Sequence, residues 1–221
     1  MPLSRDRVLR AAVDIADKGG IESLTMRRLA EVLGAEAMSL YYHVANKDEV
    51  LDGMVDVVAQ EINEVVAGID AAPAGGEWTK AMRARILAAR EVLLRHPWAP
   101  WVFETRTTAS PVVLRYYDAV VGLMRDAGFS YDLAHHALHA LGSRVLGFTQ
   151  ELFDPGGEPS DAEAADMPED IADQLPHLAG MLAEVGHDDP DSTLGFCDYQ
   201  SEFEFGLDVI LDGLDRLREG A

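Results

Sequence analysis

Apolar residues recur at intervals of three and four along most of the chain, which is the spacing that places them on one face of an α-helix. The first stripe consists of Val8, Ala12, Ile15 and Ala16, and the next of Met26, Leu29, Ala30 and Leu33. Beyond residue 66, helical stripes are separated by Gly and Pro, and no segment alternates convincingly between apolar and polar residues as a half-buried strand would. The pattern therefore predicts an all-α fold.

Residues 24 to 51 predict two short helices that meet at a tight turn. Thr25 is a suitable N-cap for the first helix, and Gly34 permits the turn after it. In the second helix, the spacing predicts that Ala37 and Leu40 face inward, whereas the outward positions are Met38, Ser39, Tyr42 and His43. This order is typical of a helix-turn-helix DNA reader, whose second helix enters the major groove. The alternative is an ordinary helical bundle with a packed aromatic cluster.

The remainder of the chain predicts longer helices. Asn46 and Glu49 form a pattern like a capping box, which predicts the start of a helix that reaches about residue 66. Further helices are predicted at about 78–95, 98–103, 111–127, 130–153, 168–186 and 195–218. The last of them carries an apolar stripe made of Phe196, Tyr199, Phe203, Leu207, Ile210, Leu214 and Leu217. This stripe either packs within one chain or, with the apolar face of the helix at 130–153, forms an interface between two copies.

Three segments between residues 20 and 51 carry a family resemblance. They read Gly-Ile-Glu-Ser-Leu-Thr-Met-Arg-Arg-Leu-Ala, then Leu-Gly-Ala, then Ser-Leu-Tyr-Tyr-His-Val-Ala-Asn-Lys-Asp-Glu-Val-Leu. In this order they resemble the TetR family of transcriptional regulators, over about residues 5 to 55. The resemblance implies that Arg27 meets DNA from the second helix, that the third helix offers Ala37, Met38 and Ser39 to base edges, and that phosphate and groove contacts come from Tyr41, Tyr42, His43 and Lys47. Ala37 has no hydrogen-bonding side chain, so its base contact is expected to be apolar, for example with a thymine methyl group.

The same resemblance implies a two-domain architecture. We expect an N-terminal three-helix helix-turn-helix DNA-binding domain at 1–47 and a larger helical effector-binding and dimerisation domain at 48–221. The implied function is a repressor that binds a palindromic operator on double-stranded DNA as a homodimer, through the helices at about 130–153 and 195–218. A small-molecule effector, of unknown identity, would release it.

Candidate effector-lining residues are large apolar or aromatic side chains on the predicted helices of the second domain. They are Met82, Ile86, Trp101, Phe103, Tyr116, Tyr117, Met124, His139 and Phe148. Ordinary core packing is the competing interpretation for each of them. Relatives that bind tetracycline with magnesium have a histidine shortly before a Thr-Arg pair, but Thr105-Arg106 follows apolar residues and Glu104 here. We therefore expect an apolar or aromatic effector and no resident cofactor.

Charge is distributed unequally along the chain, which has a net charge of −21 and an isoelectric point near 4.5. Through Lys47 there are seven Lys and Arg against six Asp and Glu, and the remainder has eleven against thirty-three, so the two parts carry about +1 and −22. An acidic body of this kind would either keep non-specific DNA away or simply provide solubility.

Other classes of protein find less support in the sequence. The single cysteine, Cys197, cannot form an intrachain disulfide, and the absence of a signal-like or membrane-spanning apolar run predicts a cytoplasmic protein without membrane contact. His135 and His139 lie one helical turn apart and could bind a metal, although no further ligands lie nearby in sequence. A di-iron enzyme needs two Glu-x-x-His units, and only Glu184 to His187 fits. The remaining alternatives are a helical ligand-binding protein or enzyme without a DNA-regulatory role, and a constitutive repressor with a filled core.

Overall fold

The computed structural model of the chain describes residues 3–69, 78–147, 174–184 and 199–220, and every regular element among them is a helix. The α-helices are α1 (Arg5–Gly19), α2 (Met26–Leu33), α3 (Ala37–Leu40), α4 (Lys47–Ala67), α5 (Trp78–Arg95), α6 (Ala99–Thr105), α7 (Pro111–Asp126), α8 (Tyr131–Gly147), α9 (Pro176–Glu184) and α10 (Tyr199–Glu219). A short 3₁₀ turn at Ile21–Ser23 joins α1 to α2. None of these helices combines the length and the hydropathy that a bilayer-spanning segment requires. The all-α prediction is confirmed.

Local sequence signals account for several helix starts. Ser4, Thr25 and Asn46 each accept a backbone N–H through the side chain, at 3.3, 3.0 and 2.8 Å, and so cap α1, α2 and α4. The Glu49 carboxylate reaches back to the Ala45 N–H at 2.6 Å, which completes a reciprocal cap close to the predicted capping box. The helix α5 has the predicted bounds, whereas α7 ends one residue earlier than predicted. The predicted continuation of α8 to 153 and the start of the next helix at 168 lie outside the described residues.

The chain divides into two compact units, residues 1–149 with 211–221, and residues 150–210. The first unit contains α1 to α8 and the end of α10. The second contains α9 and the beginning of α10, where Phe203 and Leu207 are buried.

Helix α4 is the central element of the first unit, because it packs against α1, α5, α6 and α7. Its buried positions include Val50, Met54, Val58 and Ile62, which recur every four residues. Helix α1 approaches α4 closely at Gly53, where an added Cβ would lie 2.5 Å from the Leu9 Cδ2 atom. The same helix begins next to the helix-turn-helix and continues to the middle of the helical body, so it connects the two physically.

Candidate DNA-reading surface and ligand cavity

The turn between α2 and α3 depends on Gly34. Its backbone is left-handed, with φ 63° and ψ 36°, and its N–H donates to the carbonyl groups of the last turn of α2. A residue with a Cβ atom is strained in this region, which explains the glycine. The turn therefore ends α2 and allows α3 to begin as a separate short helix.

Most of the predicted DNA-contacting residues are exposed on or beside α3. Tyr42 is 88% and Met38 70% exposed, Tyr41 and Lys47 are exposed, and Ser39 and His43 are half-buried. Leu40 and Val44 are almost fully buried beneath them and hold α3 against the core. Aromatic rings, hydroxyl groups and a lysine on one outward surface are groups that can contact a duplex.

The expectation that Ala37 faces inward is wrong, because Ala37 is exposed. Helix α3 has only four residues and Ala37 is the first of them, so Leu40 alone fills the inward face of the helix. The exposed methyl group of Ala37 is consistent with the apolar base contact that the family resemblance implies.

Arg27 extends from the start of α2, and its side chain is 89% exposed. Its Nε donates to Glu31 Oε1 at 3.0 Å, one helical turn further along α2. An exposed pair of this kind contributes little to stability, so a phosphate group can compete with the carboxylate for the guanidinium.

Behind this surface, α6 is tied to the beginning of α4. Arg106 follows α6 directly, and its Nη1 donates to Asp52 at 3.1 Å and lies 3.8 Å from Asp48. Asp48 is the neighbour of Lys47, so this ion pair joins the end of α6 to the edge of the DNA-reading surface.

A mainly apolar cavity lies in the first unit, with walls from α4, α5, α6, α7 and α8. It encloses about 730 Å³ of space free of protein atoms, including its open mouth. The lining residues are Ala59, Ile62, Met82, Ile86, Ala89, Leu93, Phe103, Val113, Tyr116, Tyr117, Val120, Leu138, Leu141 and Gly142. Apolar cavities with a few polar groups are typical of small-molecule sites.

Five predicted effector-lining residues meet in this cavity, namely Met82, Ile86, Phe103, Tyr116 and Tyr117. Four others do not belong to its described lining. Trp101 and His139 are exposed, Met124 is buried elsewhere in the core, and Phe148 lies outside the described residues.

Sequence reasoning missed nine lining residues, namely Ala59 and Ile62 of α4, Ala89 and Leu93 of α5, Val113 and Val120 of α7, and Leu138, Leu141 and Gly142 of α8. Their helical spacing was a detectable signal, but it is identical to that of residues that only fill a core.

Tyr116 provides a polar group in the apolar lining. Desolvation of its hydroxyl raises the pKa of Tyr116 to about 12, and the positive charge of Arg85 opposes part of this shift. The phenol is therefore protonated at neutral pH and can donate a hydrogen bond to a bound molecule.

A second, more polar cavity adjoins the first, because both use Phe103, Val113 and Tyr117 as walls. It contains about 550 Å³ of free space including open solvent, and Glu104, Arg106, Thr107 and Thr108 contribute its polar lining. A ligand that fills the apolar cavity can therefore extend a polar group past Phe103.

The histidines of α8 are exposed, and the ring centroids of His135 and His139 are 4.7 Å apart. Within the described parts of the chain, no group of three or more His, Cys, Asp or Glu side chains could hold a metal ion. Two histidines by themselves leave a tetrahedral metal site incomplete.

Family models match both parts of the chain. Residues 8–54 match the model of bacterial regulatory proteins of the tetR family, and residues 72–218 match the tetracyclin repressor-like C-terminal domain. The chain is 33% identical over 223 residues to the HTH-type transcriptional repressor DrrR1 of Streptomyces coeruleorubidus, covering 97% of this chain and 78% of the relative.

Solved structures agree with this assignment. A possible TetR family transcriptional regulator from Streptomyces coelicolor A3(2) superimposes with a TM-score of 0.75 at 31% identity, covering 97% of this chain and all of the other. The Streptomyces coelicolor TetR family protein ActR, in complex with (S)-DNPA, gives a TM-score of 0.70 at 27% identity, covering 97% of this chain and 98% of ActR. The TetR family consists of transcriptional regulators rather than enzymes. The chain combines a helix-turn-helix with a helical body that contains an apolar cavity, belongs to the TetR family and is a DNA-binding transcriptional regulator.

Proposed function

We propose that this regulator is a cytoplasmic repressor that binds a palindromic operator as a homodimer and is released by an apolar or aromatic small molecule. The observation that carries the proposal is the joint presence of an exposed DNA-reading helix and an open apolar cavity, connected by α4. Residues 1–47 act as the DNA-binding domain, and residues 48–221 as the effector-binding and dimerisation domain.

Operator recognition is assigned to the surface formed by α3 and its neighbours. Met38 and Ser39, with the methyl group of Ala37, contact base edges, whereas Arg27, Tyr41, Tyr42, His43 and Lys47 contact phosphates and the groove. This division follows from side-chain chemistry, because charged and phenolic groups bind phosphates whatever the base sequence. The exposure of Met38 and Tyr42 supports it.

An exposed apolar stripe on α10 supports a homodimer. Phe205 and Val209 are both more than half exposed and lie four residues apart on one face, and Gly213 follows at the same spacing. Gly213 has open space where a Cβ would be, so a second helix could approach closely. By contrast, Phe203, Leu207 and Leu214 of the stripe expected from sequence are already buried within the chain. The interface is therefore assigned to the opposite, exposed side of this helix, together with α8.

The effector is assigned to the apolar cavity, with the Tyr116 hydroxyl as a hydrogen-bonding group. The relative ActR binds (S)-DNPA, which supports a small organic molecule as the class of effector. A ligand shifts a conformational equilibrium only if it binds the two states with different affinity. Helix α4 supplies Ala59 and Ile62 to the cavity wall and begins at Lys47. A ligand that displaces α4 at the cavity therefore also moves the DNA-reading surface.

The first experiment is selection from a pool of randomised duplexes with the purified full-length protein, followed by sequencing of the retained DNA. We expect a palindrome, because a two-fold dimer presents two equivalent α3 helices. Recovery of DNA without any preferred sequence would contradict the proposed operator function.

Variants then separate base reading from phosphate binding. Tyr42→Phe and Lys47→Ala should weaken binding to all duplexes, whereas Met38→Ala should change the selected sequence. Lys18→Ala is a charge-matched control, because Lys18 is exposed in the last turn of α1 and is not one of the predicted DNA-contacting residues. Equal responses of Lys18→Ala and Lys47→Ala would contradict the assigned surface.

Two further measurements test the dimer and the effector. Phe205→Glu should lower the molecular mass in solution if the α10 stripe forms the interface, and Trp101→Glu, which changes an exposed aromatic residue of α6 outside the assigned interface, serves as its control. A library of aromatic compounds should contain ligands that lower operator affinity, and Ala89→Trp, which fills the cavity, should abolish that response. An unchanged mass of Phe205→Glu would contradict the assigned interface.

A further inference from the structure

Arg106 belongs both to a cavity lining and to an ion pair at the start of α4. It follows α6 directly, and its side chain is only 17% exposed. Its Nη1 donates to Asp52 Oδ1 at 3.1 Å and lies 3.8 Å from Asp48. The same residue lines the more polar cavity, together with Thr107 and Thr108. A ligand in that cavity can therefore reach the cation that α4 uses.

The two carboxylate partners of Arg106 are exposed, unlike the arginine itself. The side chains of Asp48 and Asp52 are 82% and 59% exposed. Water screens such carboxylates, so their attraction for the arginine is weak. If Arg106 turns to another anion, both aspartates remain in contact with water and do not become unpaired buried charges. The present partners of Arg106 can therefore be replaced at low cost.

The forked edge of the Arg106 guanidinium contacts a neutral acceptor. Its Nε and Nη2 atoms both donate to the Thr105 Oγ1 atom, at 3.3 and 3.2 Å. A carboxylate can accept two parallel hydrogen bonds from such an edge, and charge-assisted bonds are about twice as strong as neutral ones. A carboxylate that reaches Arg106 therefore replaces weaker contacts with stronger ones.

The walls around Arg106 define the shape of a suitable ligand. Phe103, Val113 and Tyr117 line both cavities, so a molecule in the apolar cavity can extend a group along them toward Arg106. Glu104 belongs to the same polar lining, but it is exposed, so water weakens its repulsion of an acid. The combined site fits a molecule with an apolar or aromatic body and a carboxylate at one end.

We propose that the effector is an aromatic acid whose carboxylate binds Arg106 and takes it from Asp48 and Asp52. The inference rests on the proposed repressor function, to which it adds the chemical class of the effector and the step that couples it to DNA. Binding breaks the ion pair between the end of α6 and the beginning of α4. It also leaves two carboxylates without this cation close to Lys47, where they repel the phosphates of an operator.

The ligand site is tested without DNA, by isothermal titration calorimetry on the full-length protein. The probes are naphthylacetic, naphthylpropionic and naphthylbutyric acids, each compared with its primary amide, which has nearly the same shape but no charge. We expect at least one acid to bind about tenfold more tightly than its amide, because hydrogen bonds to charged groups are stronger. Binding of every acid no tighter than its amide, or no binding of any probe, would overturn the proposal.

Two substitutions should change acid binding in opposite directions. Arg106→Gln should weaken binding of the acid about tenfold and leave the amide unchanged, because it removes the charged donor. Asp52→Asn removes a competing carboxylate, so it should tighten binding of the acid about two- to fivefold, as expected for a partly exposed ion pair. Equal losses for acid and amide in Arg106→Gln, or no gain in Asp52→Asn, would contradict the proposed exchange of partners.

Matched controls separate this exchange from a general effect of net charge. Arg115→Gln removes an exposed cation of α7 that is not part of the described lining of either cavity. Glu64→Gln removes an exposed carboxylate further along α4. Screening by salt should keep the ratio of acid to amide affinity within about twofold of wild type in both. Shifts as large as those of Arg106→Gln and Asp52→Asn would mean that net charge sets the preference, and would overturn the assigned site.

The coupling step is measured on the operator recovered by selection. The acid that binds most tightly should lower operator affinity of the wild type about tenfold, which is within the usual range of coupling between two sites. In the double variant Asp48→Asn with Asp52→Asn, the acid should still bind but lower operator affinity less than about twofold, because no carboxylate remains to be released. An equal effect in both proteins would overturn the coupling step.

Failure of this inference can be distinguished from failure of the proposed function. An acid preference that depends on Arg106 would support the ligand site even if selection recovers no operator. Recovery of an operator together with equal binding of acids and amides would overturn the inference and leave the repressor function intact.

Discussion

The close packing of α1 on α4 at Gly53 gives a prediction whose sign is decided by two opposing effects. In Gly53→Ala the new methyl group would lie 2.5 and 2.6 Å from the two terminal carbons of Leu9, well inside van der Waals contact. Leu9 is buried, so it cannot rotate into solvent, and one helix must move by about 1 Å or the leucine must adopt a strained rotamer. The substitution therefore overpacks the interface that orients the DNA-binding domain.

Overpacking of this kind costs about 1–3 kcal/mol of unfolding free energy. Alanine is better than glycine in a helix interior by about 1 kcal/mol, which offsets part of that cost. The net expectation is a loss of between about 0 and 2 kcal/mol. Gly122→Ala is the matched control, because Gly122 lies inside α7 with open space around its missing Cβ and should gain about 1 kcal/mol.

Urea unfolding followed by circular dichroism measures both variants under the same conditions. The double variant Leu9→Ala with Gly53→Ala completes the test. Leu9→Ala alone should cost about 2–5 kcal/mol, and the methyl group at position 53 should then fill part of the space instead of clashing. The double variant should therefore lose less than the sum of the single variants by about 1–3 kcal/mol.

The reasoning is refuted if Gly53→Ala stabilises the protein as much as Gly122→Ala does. Strict additivity of the Leu9 and Gly53 variants would refute it as well, since it would mean that the two side chains do not compete for space.

Three further predictions concern single contacts. The hydrogen bond from Trp78 lowers the pKa of Asp215 in the folded protein, and Arg218 lowers it further. The ionised Asp215 therefore stabilises the fold above the ordinary carboxyl pKa, and this stabilisation is lost as pH falls through the lower folded value. Trp78→Phe should make acid unfolding less steep. Asn46→Ala should cost about 1 kcal/mol in urea unfolding, because it removes the N-cap of α4. Desolvation raises the pKa of Tyr116 from 10.0 to about 12 in the folded protein. The contribution of the neutral phenol to the free energy of unfolding is therefore complete below pH 10 and declines as pH rises toward about 12. Tyr116→Phe should resist alkaline unfolding better than wild type.

Each of these predictions has a result that counts against it. An unchanged acid limb in Trp78→Phe would mean that the indole does not support the ionised carboxylate. Full stability of Asn46→Ala would mean that another group caps α4. Identical alkaline unfolding of Tyr116→Phe and wild type would mean that the phenol is not desolvated, which would also weaken its role in the cavity.

The sequence was sufficient for the helix-turn-helix because its signals are local. Thr25 and Asn46 cap helices through backbone groups only three residues away, and Gly34 supplies the left-handed turn between α2 and α3. Each interaction is contained in a short window, so its residue types can be read directly. The inward orientation expected for Ala37 is wrong because a helix of four residues is too short for periodicity to assign its first position.

The cavity could be predicted only in part. Periodicity identifies apolar faces, but a residue that lines a cavity and one that fills the core have the same spacing. Phe103 and Trp101 are only two residues apart in α6, yet one faces the cavity and the other is exposed. The empty space is created by the way five helices pack around it, which no single helix encodes.

By itself, the sequence determined the helical class, the ends of α5 and the turn at Gly34, and it predicted the DNA-contacting residues, since caps, turns and apolar spacing act over a few residues. Only the tertiary structure decided which apolar residues enclose the cavity and which polar groups meet across the fold. Trp78 and Asp215 are 137 residues apart, and Asp17, Glu61 and His96 come from three separate elements. No spacing rule connects such residues, because their contacts depend on the packing of whole helices.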